Sequence, residues 1–358
     1  MNTTRLLLAL ANAAVLAATG AAQIQLTLPT EFERAWGSGG TSSAMLGQDS
    51  SRTQMVFAAP IAPGTVVTEF GVRCAPSIVD RAAFTASIEI RMSSTTAAPG
   101  ALSATFATNI GSDETIVLPQ QVVNVPAMPA NRGTGLFATF PLATPFVFGT
   151  NGSPNLCVDF LVHSRSANAS WATDRAFAGT TGAVRDAGIG CGIGTVGSTS
   201  TAGIGGNYTD GSTITFTLTG GPPNALAFVQ PSLDMKELVP GFPLPLPLSV
   251  IGSAPGCDLL VNLDFALLPV VTDGGGNASV PMTITGFSSF GFGAQWGCLV
   301  TPTPTNPFGL VVMRNRYVYI GPRVVEPNAQ YVWDLFDVNS ATGSNTTDSV
   351  PIVQITVL

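Results

Sequence analysis

The chain has 358 residues, only 10% of them charged, with a formal net charge of −7. An average globular protein has roughly 25% charged residues, and a chain without clustered Lys and Arg is a poor nucleic-acid binder. The sequence holds one histidine, His163, and one lysine, Lys236. This composition argues against most enzymes that depend on imidazole or amine chemistry.

Residues 1–22 have the pattern of a secretory signal peptide. Arg5 precedes an apolar run at residues 6–18, and cleavage after Ala22 would place small residues at the −3 and −1 positions. The run is shorter than the ~20 apolar residues of a membrane span, and no later stretch qualifies as a transmembrane helix. We therefore expect a mature chain that is secreted or held at the cell surface.

The rest of the chain shows the pattern of strands and of no long helix. Apolar and polar residues alternate at 84–92 and 212–218, and partly at 352–358. Residues 156–162 form a mostly apolar run that suits a central strand, and residues 316–320 predict another strand. The 39 glycines and 27 prolines fall mostly between such runs. The pattern predicts an all-β protein made of antiparallel β-sandwiches.

A glycine-rich stretch at residues 179–206 marks the predicted domain boundary. We predict a jelly-roll-like sandwich at about 24–180 and an Ig-like sandwich at about 188–321. The tail at 322–358 is predicted to form a strand extension that docks onto one of the two.

No catalytic constellation is evident. There is no G-x-S-x-G motif, and His163 and Ser164 are strand neighbours whose side chains point to opposite faces. A glycosidase needs two carboxylates flanking a sugar, yet no spacing selects an acid and a base among the candidates. These candidates are Asp159, Asp174, Glu89, Glu69, Asp113, Glu114, Glu31 and Glu33. We expect no enzymatic activity.

Two weaker binding candidates remain. Oxygen ligands of the kind that calcium prefers occur in the tail at Asp334, Asp337, Asn339 and Asp348. The alternative there is a solvated turn, because the EF-hand order of ligands is missing. Trp171 lies in a polar stretch and is the candidate for an exposed, ligand-contacting aromatic; the alternative is packing under a loop. Apart from possible calcium, no cofactor is implied.

The chain has five cysteines, so at least one is free or pairs between chains. No two of them form a C-x-x-C, and with a single histidine they make no convincing zinc set. An oxidising compartment favours structural disulfides instead.

Two stretches resemble modules of uncharacterised secreted β-sandwich proteins from planctomycete-type bacteria. The first follows the spacing LS-x-x-F-x-x-N-x-G-x-D-x-T-x-V, met by Leu102, Ser103, Phe106, Asn109, Gly111, Asp113, Thr115 and Val117. The second spans 188–321, with marks at Gly188, Gly190, Cys191, 221–225, 244–248, 252–260, Gln295, Trp296, 306–311, Ile320 and Gly321. The resemblance implies an all-β, exported, envelope-associated protein. Cys298 and the tail after Gly321 depart from the second module.

The same resemblance implies a disulfide pairing. Cys191 and Cys257 look like the module's own pair, which leaves Cys74 and Cys157 to bridge within the first sandwich and Cys298 as the odd thiol. A bridge between Cys257 and Cys298, with Cys191 free, is the competing scheme.

Three functions follow as hypotheses. The leading one is a non-catalytic structural or interaction protein of the cell envelope or extracellular matrix. Its expected partners are other envelope or matrix components, with glycans as a further candidate class. The second is a carbohydrate-binding protein that uses Trp171, and the third is a carboxylate-dependent glycan-active enzyme.

Overall fold

The computed structural model describes residues 23–41, 45–166, 171–178, 182–192, 195–201, 208–286, 289–322, 328–346 and 349–358, with 195–201 described as backbone only. The proposed signal peptide lies outside these residues. Within them the chain is all-β, as predicted, and no helix is long and apolar enough to cross a membrane.

The strands follow one another in chain order. The first group is β1 (Ile24–Leu28), β2 (Gly39–Thr41), β3 (Ser51–Ala58), β4 (Val66–Arg73), β5 (Phe84–Thr95), β6 (Thr115–Val125), β7 (Phe137–Val147), β8 (Asn155–Arg165) and β9 (Thr173–Phe177). The second group is β10 (Ala183–Asp186), β11 (Thr195–Thr201), β12 (Thr213–Thr219), β13 (Leu226–Ser232), β14 (Glu237–Val239), β15 (Phe242–Pro243), β16 (Leu246–Pro247), β17 (Asp258–Leu259), β18 (Leu268–Val271), β19 (Ala278–Thr283), β20 (Phe290–Leu299) and β21 (Leu310–Ile320). The last group is β22 (Ala329–Asp334), β23 (Ser344–Thr346), β24 (Ser349–Pro351) and β25 (Val353–Val357). Short 3-10 turns lie at Thr30–Phe32, Met45–Gly47, Phe106–Asn109 and Leu248–Ile251.

Alternation decides which side of each strand is buried. In β12, Ile214, Phe216 and Leu218 are buried while the threonines between them face outward. β8 lies inside its sheet and is buried on both faces along most of its length. Its apolar sequence therefore reflects two covered faces rather than one.

The first sandwich packs two antiparallel sheets face to face. Sheet A has the order β1-β25-β4-β7, and sheet B has the order β23-β22-β3-β8-β5-β6. Sheet C, with the order β2-β9-β24, lies beside them. Side chains such as Phe70, Phe160 and Ile355 fill the core between the sheets.

The tail is part of this first sandwich. β25 lies between β1 and β4, with Ile24 opposite Val357 and Val72 opposite Val353. β22 pairs with β3, and β24 pairs with β9. The second sandwich is thus an insertion between two parts of the first, rather than the second of two consecutive domains.

The second sandwich packs sheet D, with the order β10-β21-β20-β13-β18, against sheet E, with the order β11-β12-β19. It includes residues before 188, because β10 pairs with β21. Phe216 meets Phe292 edge to face at 6.3 Å, and Trp296 and Cys298 pack in the same core.

A buried ion cluster joins the two sandwiches. Asp174 accepts hydrogen bonds from Arg73 Nε at 3.0 Å and from Arg185 Nη1 at 3.1 Å, and both Arg73 and Asp174 are fully buried. Arg185 belongs to the second sandwich, and the buried side chains of Met235 and Tyr317 extend the first core into it. Further polar contacts across this junction are Arg34–Asp234, Lys236–Glu33 and Asn131–Asp258.

Candidate functional site

Several titratable groups singled out in the sequence lie together on the outer face of sheet B, which we call the polar face. Arg91 Nε lies 2.5 Å from Glu89 Oε1, and His163 Nε2 lies 3.6 Å from Glu89 Oε2. Arg52 Nε is 3.1 Å from each oxygen of Asp159. The alternation of β5 and β8 places these side chains opposite the core residues.

The pairing on the polar face suits a structural role better than catalysis. Burial raises the pKa of Asp159, while its hydrogen bonds from Arg52 oppose the rise. Asp159 on β8 pairs with the forked guanidinium of Arg52 on β3, and Glu89 pairs with Arg91 on the same strand, β5. Ser164 continues β8 beside His163 and lies opposite Ser87 on β5. A register shift between Ser87 and Ile88 interrupts the alternation at His163, but among the described residues no hydrogen bond joins His163 Nε2 to the Ser164 hydroxyl, so the two do not form a nucleophile–base pair.

The first sequence motif forms a loop that covers one end of the polar face. Leu102 and Phe106 pack on outward-facing apolar residues of sheet B, among them Cys157. The amide of Asn109 donates to Gln54 Oε1 at 2.9 Å, which joins the loop to β3. The motif therefore specifies how the loop packs.

Gly111 and Asp113 fix the same loop to the end of β5. Asp113 Oδ1 accepts the Ser94 N–H at 2.7 Å. A Cβ on Gly111 would lie 1.7 Å from the Ser94 carbonyl oxygen, a distance that no side chain tolerates. Asp113 thus has the loop hydrogen-bonding role.

Four other acidic candidates have separate hydrogen-bond or ion-pair partners. Asp174 is buried at the junction, and Glu69 on β4 accepts a hydrogen bond from Thr356 Oγ1 at 3.0 Å. Glu33 pairs with Lys236 at 2.7 Å, and Glu114 lies 3.9 Å from Arg91.

Trp171 corrects the prediction of an exposed ligand-contacting aromatic. Its side chain is 0% exposed and belongs to the first core. It directly precedes β9, whose pairing with β2 and β24 encloses the segment. The polar sequence after Trp171 was misleading because Thr173 and Asp174 are buried as fully as the tryptophan itself.

The calcium candidates in the tail form turns. Asp334 Oδ1 accepts the N–H groups of Phe336 and Asp337 at 3.0 and 2.9 Å, which lowers the pKa of Asp334. Asp337 Oδ1 accepts the Asn339 N–H at 2.8 Å, and Asp348 lies outside the described residues. Among those that are described, no three His, Cys, Asp or Glu side chains are grouped to hold a metal. A calcium site here stays a prediction.

The disulfide predictions are partly right. Cys191 and Cys257 are bonded, with Cα atoms 4.8 Å apart, so the competing Cys257–Cys298 bridge is wrong. The predicted Cys74–Cys157 bridge is also wrong, since both thiols are free, as is that of Cys298. Cys74 lies in the core of the first sandwich, whereas Cys157 points to the opposite side of sheet B, under the loop of the first motif. The sheet itself separates the two thiols.

The marks of the second module hold one segment against the outer face of sheet D. The disulfide attaches Cys257 beside Leu248 and Val312. The buried amide of Gln295 accepts the Leu260 N–H at 2.9 Å and donates to the Asp258 carbonyl at 3.0 Å. The disulfide and the Gln295 amide together fix the segment at residues 257–260 to sheet D.

Beyond that segment, sheet D exposes an apolar surface, which we call the apolar face. Val271 lies opposite Leu226, and Leu226 and Leu299 come one step beyond the paired Ala227 and Cys298. Their exposures are 64% for Val271, 47% for Leu226 and 43% for Leu299. These three therefore form a row across β18, β13 and β20.

Phe228 and Pro269 continue the apolar face by one further row. They lie opposite one another, and a Cβ on Gly297 would meet the Phe228 ring at 2.3 Å. Gly297 thus lets the ring lie flat on the sheet. Contiguous apolar surface of this kind marks an interaction site more often than scattered apolar residues do.

Sequence reasoning missed the apolar face. Its members are separated by up to 73 positions in the chain, from Leu226 to Leu299. Only the strand order brings them together. The exposed positions at the ends of β13, β18 and β20 carry large aliphatic side chains, and this is the one local signal that was present.

We compared the whole chain with protein-family models and with curated proteins. No protein-family model matches the chain, and no curated protein matches it either.

Proposed function

We propose that this protein is a non-catalytic, exported structural or interaction protein of the cell envelope or extracellular matrix. It acts by presenting surfaces of two firmly joined sandwiches to other envelope or matrix components. The apolar face of sheet D is the observation that carries this proposal.

The ion pairs support a scaffold role. Three of the candidate acidic residues are held by an arginine: Asp159 by Arg52 and Glu89 by Arg91 on the polar face, and Asp174 by Arg73 at the junction. Breaking such buried pairs is costly, so they favour a fixed geometry over changes of protonation during turnover.

The apolar face supports contact with a partner. Large aliphatic side chains gain about 25 cal/mol per Å² when they are covered. The alternative of a carbohydrate-binding protein loses the residue on which it depended, because Trp171 is buried.

The test uses the mature chain and a cell-envelope fraction from the source organism. We expect the chain to sediment with the envelopes, and the triple variant Leu226→Lys, Val271→Lys, Leu299→Lys to bind at least tenfold less. The matched control places lysine at Ile116 and Val122 of β6, which are 48% and 70% exposed on the first sandwich. Equal loss in the control, or no retention of the unaltered chain, would contradict the proposal.

A further inference from the structure

A second apolar feature opens at the side of the second sandwich, between sheets D and E. This lateral groove has a volume of about 310 Å³ and lies beside β18 and β19. Its walls come mainly from Phe265, Leu268, Met282, Ile284, Phe290 and Phe292. Its described lining includes no charged side chain; Thr285 lies at its rim, whereas Thr283 lies opposite Thr213 and shares a 2.9 Å hydrogen bond with the Thr213 hydroxyl on the outer face of sheet E.

The strand edges beside the groove are unsuited to receive another strand. On β18, the N–H of Thr272 bonds the Ala225 carbonyl at 2.9 Å, so by alternation Val270 and Leu268 also point their backbone groups towards β13. Pro269 then occupies an outward-facing position, where it offers no N–H.

The other edge is built in the same way. On β19, the Ile284 N–H bonds the Ser212 carbonyl at 3.0 Å, which places Met282 and Val280 in register with β12 and turns Pro281 outward. Proline at the outward position blunts an edge against strand pairing. A partner peptide that adds a strand is therefore a poor fit to either edge.

The lining chemistry narrows the occupant further. The chain carries a net charge of −7, and none of the described groove residues offers a cation to an anionic head group. A carboxylate or phosphate placed here would be desolvated without a partner. The groove therefore complements an uncharged apolar molecule. Pockets of this size that are mostly apolar with a few polar groups are typical of small-ligand sites.

We infer that the lateral groove binds one neutral alkyl chain whose hydroxyl or ester oxygen lies near Thr285 at the rim. A cavity of ~150 Å³ holds the six carbons of benzene. About twice that volume accommodates a chain on the order of ten to twelve carbons. Met282 and the half-exposed Phe265 form adaptable walls for such a chain.

The test is a titration of the whole mature protein, carrying ¹³C-labelled methionine methyl groups, with 1-decanol. The Met282 methyl signal is expected to shift in a saturable way, while those of Met55 and Met92, buried in the first sandwich, stay fixed. Decanoate is expected to bind at least tenfold more weakly than 1-decanol, because its carboxylate finds no cation. Equal binding of the two probes would overturn the inference that the site is neutral.

Two variants and a control complete the test. Phe265→Ala removes one wall at a 47% exposed position and is expected to weaken 1-decanol binding about tenfold. Ala266→Trp fills the groove from an exposed position and is expected to abolish the Met282 shift. Phe308→Ala, at a 63% exposed position outside the groove, is expected to leave binding unchanged. An absent Met282 shift in the unaltered protein, or equal weakening by Phe308→Ala, would refute the site.

Discussion

Replacing Asp174 by alanine should loosen the junction between the two sandwiches. Asp174 accepts hydrogen bonds from Arg73, Arg185 and the Gly37 N–H, the last at 3.0 Å. Burial lowers the pKa of Arg73, and the charge of Asp174 opposes this effect. Without the carboxylate, two guanidinium groups remain at the junction with no opposing charge in contact.

The expected cost follows from that burial. Arg73 is fully enclosed, and its carbonyl partners on Phe32 and Ala35 accept hydrogen bonds but supply no opposing charge. Removing one member of a buried ion pair typically costs 3–5 kcal/mol, so we expect Asp174→Ala to lower the free energy of unfolding by about 4 kcal/mol. For a domain of this size, that corresponds to a fall in Tm of about 8–16 °C.

The assay is urea unfolding of the mature protein followed by circular dichroism, with Tm as a second measure. The control is Asp49→Ala, which breaks a 3.0 Å bridge to Arg165; the Asp49 side chain is 75% exposed, and the enclosed Arg165 keeps its hydrogen bond to the Leu46 carbonyl. Because water screens the charge of so exposed a carboxylate, the bridge is expected to contribute about 0–1 kcal/mol. If Asp174→Ala costs no more than Asp49→Ala, the junction is not held by its buried charge.

Two further predictions concern thiols and a glycine. Cys74, Cys157 and Cys298 are buried, and burial raises the pKa of each thiol, that of Cys298 to about 11. We therefore expect none of the three to react with 5,5′-dithiobis(2-nitrobenzoate) at pH 8 in the native protein. After denaturation without reductant, all three should react. A single reactive thiol after denaturation would instead support the Cys74–Cys157 bridge. Gly111→Ala should lower stability by more than about 2 kcal/mol, because its Cβ would collide with the Ser94 carbonyl. Gly274→Ala, where no atom lies within 4 Å of the added Cβ, should be nearly neutral in the same urea titration.

Local patterns in the sequence predicted local structure well. Alternation at 84–92 and 212–218 correctly indicated β5 and β12, because burying one face of a strand leaves a period of two in the sequence. The Cys191–Cys257 bridge was predicted through the resemblance alone, and the same reasoning failed for Cys74 and Cys157. Nothing in the sequence states on which side of a sheet a cysteine lies.

Contacts between distant parts of the chain were not predictable. The pairing of β1 with β25 depends on which strands compete for the same edge, and neither strand carries a local sign of its partner. The Arg73–Asp174 pair is similar, since 101 positions separate its members. Trp171 was a candidate for an exposed aromatic because its neighbours are polar, with packing under a loop as the alternative; its burial depends on strands that lie far away in sequence.

Sheet A is incomplete until synthesis of the chain reaches residue 357, because β25 is the strand that lies between β1 and β4. A ribosome delivers β1 and β4 long before that strand, so their unpaired edges must wait through the synthesis of the whole insertion. The inserted sandwich finds all its described strand partners between residues 183 and 320 and is free to close earlier. The inserted sandwich can therefore complete its sheets before sheet A is complete, although its strands emerge later than β1 and β4, and the open edges of β1 and β4 are exposed to aggregation during that delay.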